Sequence, residues 1–274
     1  MQSYINKDTQ LCMSLAGRPG NFGTRFHNYL YRELGLNFVY KAFTTRDLEG
    51  AIRGIRALGI RGCAVSMPFK EDCMPLLDEI DPSAGGIQSV NTIVNMDGYL
   101  KGYNTDYIAV FSLLKSHDIS PALEFALRGS GGMAKAVACA LRDAGFTRGS
   151  IVARNRESGS ALAEQYNFEW KPELADGETP GLVVNVTPIG MAGGTESEQL
   201  AFPEKTVRAA ECVFDVVALP PETPLIRLAR SLSKPVITGA EVITLQAVEQ
   251  FVLYAGQRPD PQLVERAAAF ARQG

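Results

Sequence analysis

The chain is predicted to be an α/β protein, and three features of its 274 residues carry that prediction. Strand and helix patterns alternate from end to end. No low-complexity tract or internal repeat interrupts them, and one strand runs directly into a glycine-rich turn followed by a helix. Such alternation implies parallel sheets, for which the 46% hydrophobic content supplies a core. Residues 11–15 and 38–43 read as strands, with a helix over 24–34 between them. Leu48, Ile52, Ile55 and Leu58 recur at helical spacing behind Thr45, a cap-type residue, and Gly59 ends that helix. A strand then leads through Ser66-Met-Pro-Phe to Lys70. Residues 89–95 and 99–103 flank Asp97-Gly98, a dipeptide suited to the positive φ angles of a tight hairpin. A helix follows over 107–117. The polar, proline-bearing residues 118–122 are the best candidate for a linker.

The second unit begins with a strand over 123–127 that enters Gly129-Ser130-Gly131-Gly132-Met133-Ala134, and a helix carrying Val137 and Leu141 comes next. Strand, glycine turn and helix in this order make a candidate dinucleotide site. Gly129 allows the sharp turn and Gly131 the approach of a pyrophosphate to the backbone, while the helix start favours an anion. Gly132 or Ala134 would let helix and strand pack closely. It is not an NTPase loop, because no Gly-Lys-Ser/Thr follows. The next strand, 150–153, ends in Arg154-Asn155-Arg156 where an NAD-preferring fold would offer a carboxylate. Guanidinium groups there favour NADP, with NAD the alternative because Glu157 is adjacent. Strands over 182–186, 212–217 and 235–238 complete a doubly wound sheet, with Thr187 and Gly239 at strand ends on the cofactor side. An apolar helix over 242–254 then returns to the first unit.

Composition excludes several classes. With 27 basic against 30 acidic side chains there is no broad positive surface for nucleic acid. No apolar run approaches the roughly 20 residues of a membrane span, so a cytoplasmic protein is expected. Five scattered cysteines read as reduced and buried, and two histidines are too few for a metal centre or a histidine triad. The expected partner is a small molecule, and the chain is compatible with a monomer or a homodimer.

Lys70 stands at the rim of a strand end, where a proton-transfer group is held in place beside room for a ligand. Asp106 closes Asn104-Thr-Asp after another strand. Taken together, residues 65–71 (Val-Ser-Met-Pro-Phe-Lys-Glu), Ser89-Val-Asn-Thr92, Asn104-Thr-Asp106, Gly129-Ser-Gly-Gly132, Asn155-Arg156, Glu222-Thr-Pro224 and Gln246-Ala247 resemble, in order and spacing, the motifs of shikimate dehydrogenases and their quinate and dehydrogenase-like relatives. The resemblance covers nearly the whole chain. It implies an N-terminal α/β substrate domain (1–106 with 239–274), a Rossmann-type NADP domain (107–238) and a cleft between them. It further implies Lys70 and Asp106 as the catalytic pair, with Ser66, Asn91 and Gln246 contacting substrate hydroxyls. An amine in water holds its proton at neutral pH, so this role requires water to be excluded around Lys70.

The chain departs from the family where the substrate carboxylate is held. In place of a Ser-x-Ser-Pro segment stands Asn21-Phe-Gly23-Thr24, counted back from His27. Asn21, Thr24 or Arg25 would have to compensate. Ala64 and Ala218 replace the usual Asn and Tyr. The expected activity is therefore NADP-dependent oxidation or reduction of a cyclic polyol or hydroxy acid related to shikimate or quinate, with weak turnover of shikimate. A rival reading is an NADP-binding sensor with little catalysis; a retained proton-transfer pair favours the enzyme. A folate-type dehydrogenase fits the Asn-Thr-Asp and Glu-Thr-Pro runs less well.

Overall fold

The computed structural model describes residues 5–273, which divide into two compact units: the residues up to Thr105 together with those from Thr244 on, and Asp106–Ile243. The first stretch contains β1 (Gln10–Leu15), α1 (Phe22–Glu33), β2 (Phe38–Phe43), α2 (Leu48–Ala57), β3 (Gly62–Val65), β4 (Glu79–Ile80), α3 (Pro82–Gly85), β5 (Thr92–Met96) and β6 (Tyr99–Tyr103). Their sheet has the order β2-β1-β3-β5-β6-β4. It is mixed rather than parallel throughout. β1 pairs parallel with β2 and β3, whereas β5 runs antiparallel to both β3 and β6. The hairpin imposes this: Asp97 and Gly98 take φ of 52° and 91°, and Asn95 Oδ1 accepts from the Gly98 N–H at 2.8 Å.

Alternation along β1 sorts the core into two layers, since adjacent strand residues point to opposite faces. Cys12 lies with Phe26, Leu30, Tyr31, Tyr40 and Phe251 on one side, and Met13 with Ile52, Ile55 and Cys63 on the other. The cap of α2 lies two residues later than expected. Asp47, not Thr45, caps it by accepting from the Gly50 N–H at 2.8 Å; Thr45 Oγ1 instead accepts from the Asp47 N–H at 2.9 Å.

α4 (Thr105–Ser116) opens the second stretch, followed by β7 (Phe125–Arg128), α5 (Gly132–Asp143), β8 (Gly149–Val152), α6 (Arg156–Tyr166), β9 (Glu169–Lys171), β10 (Leu182–Asn185), α7 (Glu204–Ala209), β11 (Cys212–Asp215), α8 (Pro224–Ser231) and β12 (Val236–Thr238). Residues 118–122, the expected linker, form a loop inside the second unit, and the division falls at Thr105/Asp106. All six strands pair parallel in the order β12-β11-β10-β7-β8-β9. Renumbered from β7 and read from the β9 edge, that is 3-2-1-4-5-6, the doubly wound order of dinucleotide-binding folds. The order reverses between β7 and β10. A crevice outside their carboxyl ends is where this architecture binds ligands.

α9 (Gly239–Ala255) and α10 (Pro261–Arg272) finish the chain, and the division between the units falls within α9. No helix among the described residues is long and apolar enough to cross a membrane. All five cysteines are free and buried.

Candidate active site

In the first unit, the carboxyl end of β3 sets the Lys70 segment. Ser66 N–H donates to Leu15 O at 2.9 Å, Met67 O accepts from Gly17 N–H at 2.9 Å, and Phe69 N–H turns back onto Ser66 O at 3.0 Å. The Met67–Pro68 peptide is cis. Ser66 is exposed and Lys70 half-buried. Lys70 O accepts from Val90 N–H at 2.9 Å, which ties the segment to the strand that carries Asn91.

Asn91 is the centre of a buried, uncharged lattice. Its Oδ1 accepts three hydrogen bonds: from Thr105 N–H at 2.8 Å, Thr105 Oγ1 at 3.1 Å and Thr92 Oγ1 at 2.8 Å. Because a backbone N–H can only donate, the amide orientation is fixed with oxygen toward Thr105. Its Nδ2 has no hydrogen bond among the described residues. Gln250, on α9, donates to Thr92 Oγ1 at 3.0 Å and to Asn91 O at 3.4 Å; Gln246, one turn earlier, has Oε1 3.5 Å from Thr105 Oγ1. Asn104 Nδ2 is bonded to Ser89 O at 2.8 Å. The first unit thus brings Ser66, Lys70, Asn91 and Gln246 onto connected segments. Asp106, on the first turn of α4, is buried and belongs to the second unit.

Asn21 and Gly23 stand at the positions of the two serines, and Asn21, Thr24 and Arg25 differ in what they can offer a carboxylate. Asn21 is exposed, and its side chain makes no capping bond to α1. Thr24 Oγ1 is buried without a partner among the described residues. Arg25 is engaged elsewhere: its Nε and Nη2 donate to Phe270 O at 3.2 and 2.9 Å and its guanidinium lies 4.1 Å from the Phe270 ring centroid. It closes the C-terminal end of α10, where a cation is favoured. His27 is fully buried and stacked 4.5 Å from Tyr40; burial pushes its pKa down to about 3, so it stays neutral.

In the second unit, Gly129 follows β7 with φ of 122°, and a side chain there would meet Val186 and Thr187. Gly131 caps α5 with extended backbone, and a Cβ on Gly131 or Gly132 would meet nothing within 4 Å. Gly132 is therefore not the close-packing residue. Ala134, fully buried, takes that position. Ser130 Oγ lies 2.8 Å from Ser158 Oγ, and Met133 is half-buried behind the turn. Asn155 caps α6 by accepting from Ser158 N–H at 3.1 Å, leaving Arg154 and Arg156 exposed at its start. No ion pair joins Glu157 to either arginine among the described residues. Gly239 is closed in rather than open: a side chain there would strike the backbone of Val216 and Val217.

Sequence reasoning missed one network beneath this sheet edge. The fully buried Asp215 accepts from Thr223 Oγ1 at 2.6 Å, Val217 N–H at 3.1 Å and Asn185 Nδ2 at 2.9 Å. Asn185 Oδ1 in turn accepts from Thr187 N–H at 3.0 Å and Thr187 Oγ1 at 2.6 Å, which fixes the loop after β10. Burial pushes the Asp215 carboxyl up to about 6, against the lowering effect of these bonds. The signal was available in the paired strand-end residues Asn185 and Asp215. Among the described residues no group of three or more His, Cys, Asp or Glu could hold a metal ion.

Residues 22–93 match the model of the shikimate dehydrogenase substrate binding domain. Over 268 residues the chain is 59% identical to a shikimate dehydrogenase-like protein of Haemophilus influenzae, covering 98% of each. It is 36% identical over 262 residues to a shikimate dehydrogenase (NADP(+)) of Pyrococcus abyssi, covering 93% of this chain and 96% of that one. A solved structure of shikimate 5-dehydrogenase from Thermus thermophilus, in complex with NADP(H) and shikimate, superposes with a TM-score of 0.84 at 30% identity, covering 96% of this chain and 100% of the other. With near-complete coverage at such identity, and with the same doubly wound second unit, the chain belongs to the shikimate dehydrogenase family.

Proposed function

We propose that the protein is an NADP-dependent oxidoreductase that moves hydride between NADP(H) and a cyclic polyol or hydroxy acid related to shikimate or quinate, and that it turns over shikimate itself only weakly. The observation that carries this reading is Asn91. Its acceptor is consumed by three internal donors while its Nδ2 pair is left to a ligand, one residue from the Val90 that anchors Lys70. A hydroxyl-rich ligand is what such a donor fits.

The second unit fits NADP. Open space at Gly131 and Gly132 leaves the α5 N-terminus accessible to a pyrophosphate, and Arg154 and Arg156, which have no ion pair among the described residues, supply cations at the start of α6 for a 2′-phosphate. Bound there, NADP supplies the acceptor for the hydride that leaves the substrate carbon as alcohol becomes ketone. Lys70 takes the proton released from the same hydroxyl. Asp106 orients the amine and the hydroxyl, and Asn91, Gln246 and Ser66 hold the neighbouring hydroxyls. Weak shikimate turnover follows from the loss of both serine donors, since a hydrogen bond to a charged group contributes about 1.5–3 kcal/mol and Arg25 is committed to α10. Asn21 remains as the replacement donor.

The test is nicotinamide reduction, followed by absorbance, across shikimate, quinate, aminoshikimate and related polyols. At least one compound is expected to be oxidised faster than shikimate, and Lys70→Ala is expected to slow that reaction by about 10²-fold or more while leaving NADP affinity intact. Binding without oxidation across the whole panel, or an unchanged rate in Lys70→Ala, would turn the assignment to an NADP-binding sensor.

A further inference from the structure

We propose that Trp170, the only tryptophan in the chain, is a positioning residue that holds Arg156 for the 2′-phosphate and thereby sets the preference for NADP over NAD; this rests on the cofactor assignment above. Arg156 is the first residue of α6, a place where the helix dipole disfavours a cation. Something must hold it there. The Arg156 guanidinium lies 5.6 Å from the Trp170 ring centroid, within the range of a cation–π contact.

Trp170 is itself fixed from three directions. Its backbone pairs with Ile151 in the sheet, its Nε1 donates to Ala153 O at 3.1 Å, and Gly159 of α6 admits the ring. A Cβ on Gly159 would sit 2.5 Å from Trp170 Nε1 and 2.9 Å from Ala153 Cβ. The glycine is thus required by the indole. Its consequence is a flat surface, held by these contacts, beside a cation that otherwise has no ion pair among the described residues. Held against that surface, the guanidinium has its in-plane fork of donors left for a phosphate, and the helix N-terminus that repels the arginine attracts the phosphate the arginine would bind. Glu157, one residue on, forms no ion pair among the described residues that would consume those donors.

The experiment titrates the full chain with NADP+, NAD+ and 2′,5′-ADP, reading Trp170 emission in the wild type and heat by calorimetry in every variant. NADP+ and 2′,5′-ADP are expected to change the emission more than NAD+ does. Trp170→Leu should weaken NADP+ about 3- to 5-fold, the scale of an exposed cation–π contact, with NAD+ unaffected. Trp170→Phe should fall between, and Gly159→Ala, which displaces the indole without removing it, should act in the same direction. Arg156→Gln should abolish the preference. If Trp170→Leu binds both nucleotides as the wild type does while Arg156→Gln loses the preference, the tryptophan's role is refuted and the cofactor assignment stands. An equal loss for both nucleotides refutes it too, because packing damage does not discriminate a phosphate. A wild type that binds none of the three ligands overturns the cofactor assignment together with this proposal.

Discussion

In the first unit Asn91, Thr92, Thr105 and Gln250 direct most of their polar atoms at one another, and a single amide nitrogen is left over. In the second unit the turn after β7 has few side chains and open space at Gly131 and Gly132, and two exposed arginines, Arg154 and Arg156, follow β8. On the proposed function, the contrast follows from what each has to recognise. A phosphate is bound by any well-aimed row of donors and a positive charge, so absence of side chains is the requirement. Distinguishing one hydroxylated ring from another requires donors and acceptors held at fixed points. An interlocked lattice supplies those.

The sharpest way to break that contrast is through glycines that lack a side chain for opposite reasons. Gly239→Ala drives a methyl group into the backbone of Val216 and Val217, which cannot rotate away. About 3 kcal/mol of stability should be lost, the upper end of what over-packing an interior costs. Gly131→Ala points its methyl into open space. Stability should hardly change, while affinity for NADP+ falls. Denaturant unfolding paired with a nucleotide titration reads both. Should Gly131→Ala unfold the protein as Gly239→Ala does, the turn is a packing device and not a phosphate cradle.

How much of this was legible beforehand follows the same division. The glycine turn could be read because its requirement is written in residue type, and the arginines after β8 because their charge is. β1, β2, β7, β8, β10, β11 and β12 were visible as apolar runs closed by turn residues. β9 was not: three residues, two of them charged, carry no periodicity. The antiparallel hairpin was signalled by Asp97-Gly98, yet its insertion into an otherwise parallel sheet was not, since sheet order is decided by long-range pairing. Asn91 was named from family likeness, but Gln250, 159 residues away, meets it only in the folded chain. The Trp170–Arg156 contact was hidden likewise, because a strand had to be found before its neighbour could be.

The buried Asp215 shows that the second unit also keeps one committed network, and pH exposes it. Its carboxyl is raised from 3.8 to about 6, so between those values the folded chain holds a proton that the unfolded chain has released. Stability must then fall as pH rises through that window and level off above it, by about 3 kcal/mol in all. Asp215→Asn keeps the shape and removes the titration. Comparing denaturant midpoints of the two proteins from pH 4 to pH 7, the wild type should lose about 2 kcal/mol relative to the variant. The exposed carboxylates that titrate in the opposite sense are common to both and cancel. Parallel profiles would mean that the bonds from Thr223, Val217 and Asn185 fully replace water around the charge.

The smallest expected effect bears on the first unit's specificity. Arg25 directly follows the segment that replaces the two serines, and it is the cation beside it to which a carboxylate would be drawn, yet its guanidinium closes the end of α10 and covers Phe270. Arg25→Gln removes a helix-terminus interaction and a cation–π contact, together worth about 1 kcal/mol on a partly exposed surface. The thermal midpoint should drop by a few degrees for that reason alone. Relative rates across acidic and neutral substrates should not move, because an arginine held by a carbonyl and a ring contributes nothing to a carboxylate. If the variant instead loses only its acidic substrates and keeps its stability, Arg25 leaves α10 when substrate arrives. The first unit would then hold a mobile charge in reserve, and its contrast with the open second unit would no longer describe how the substrate is chosen.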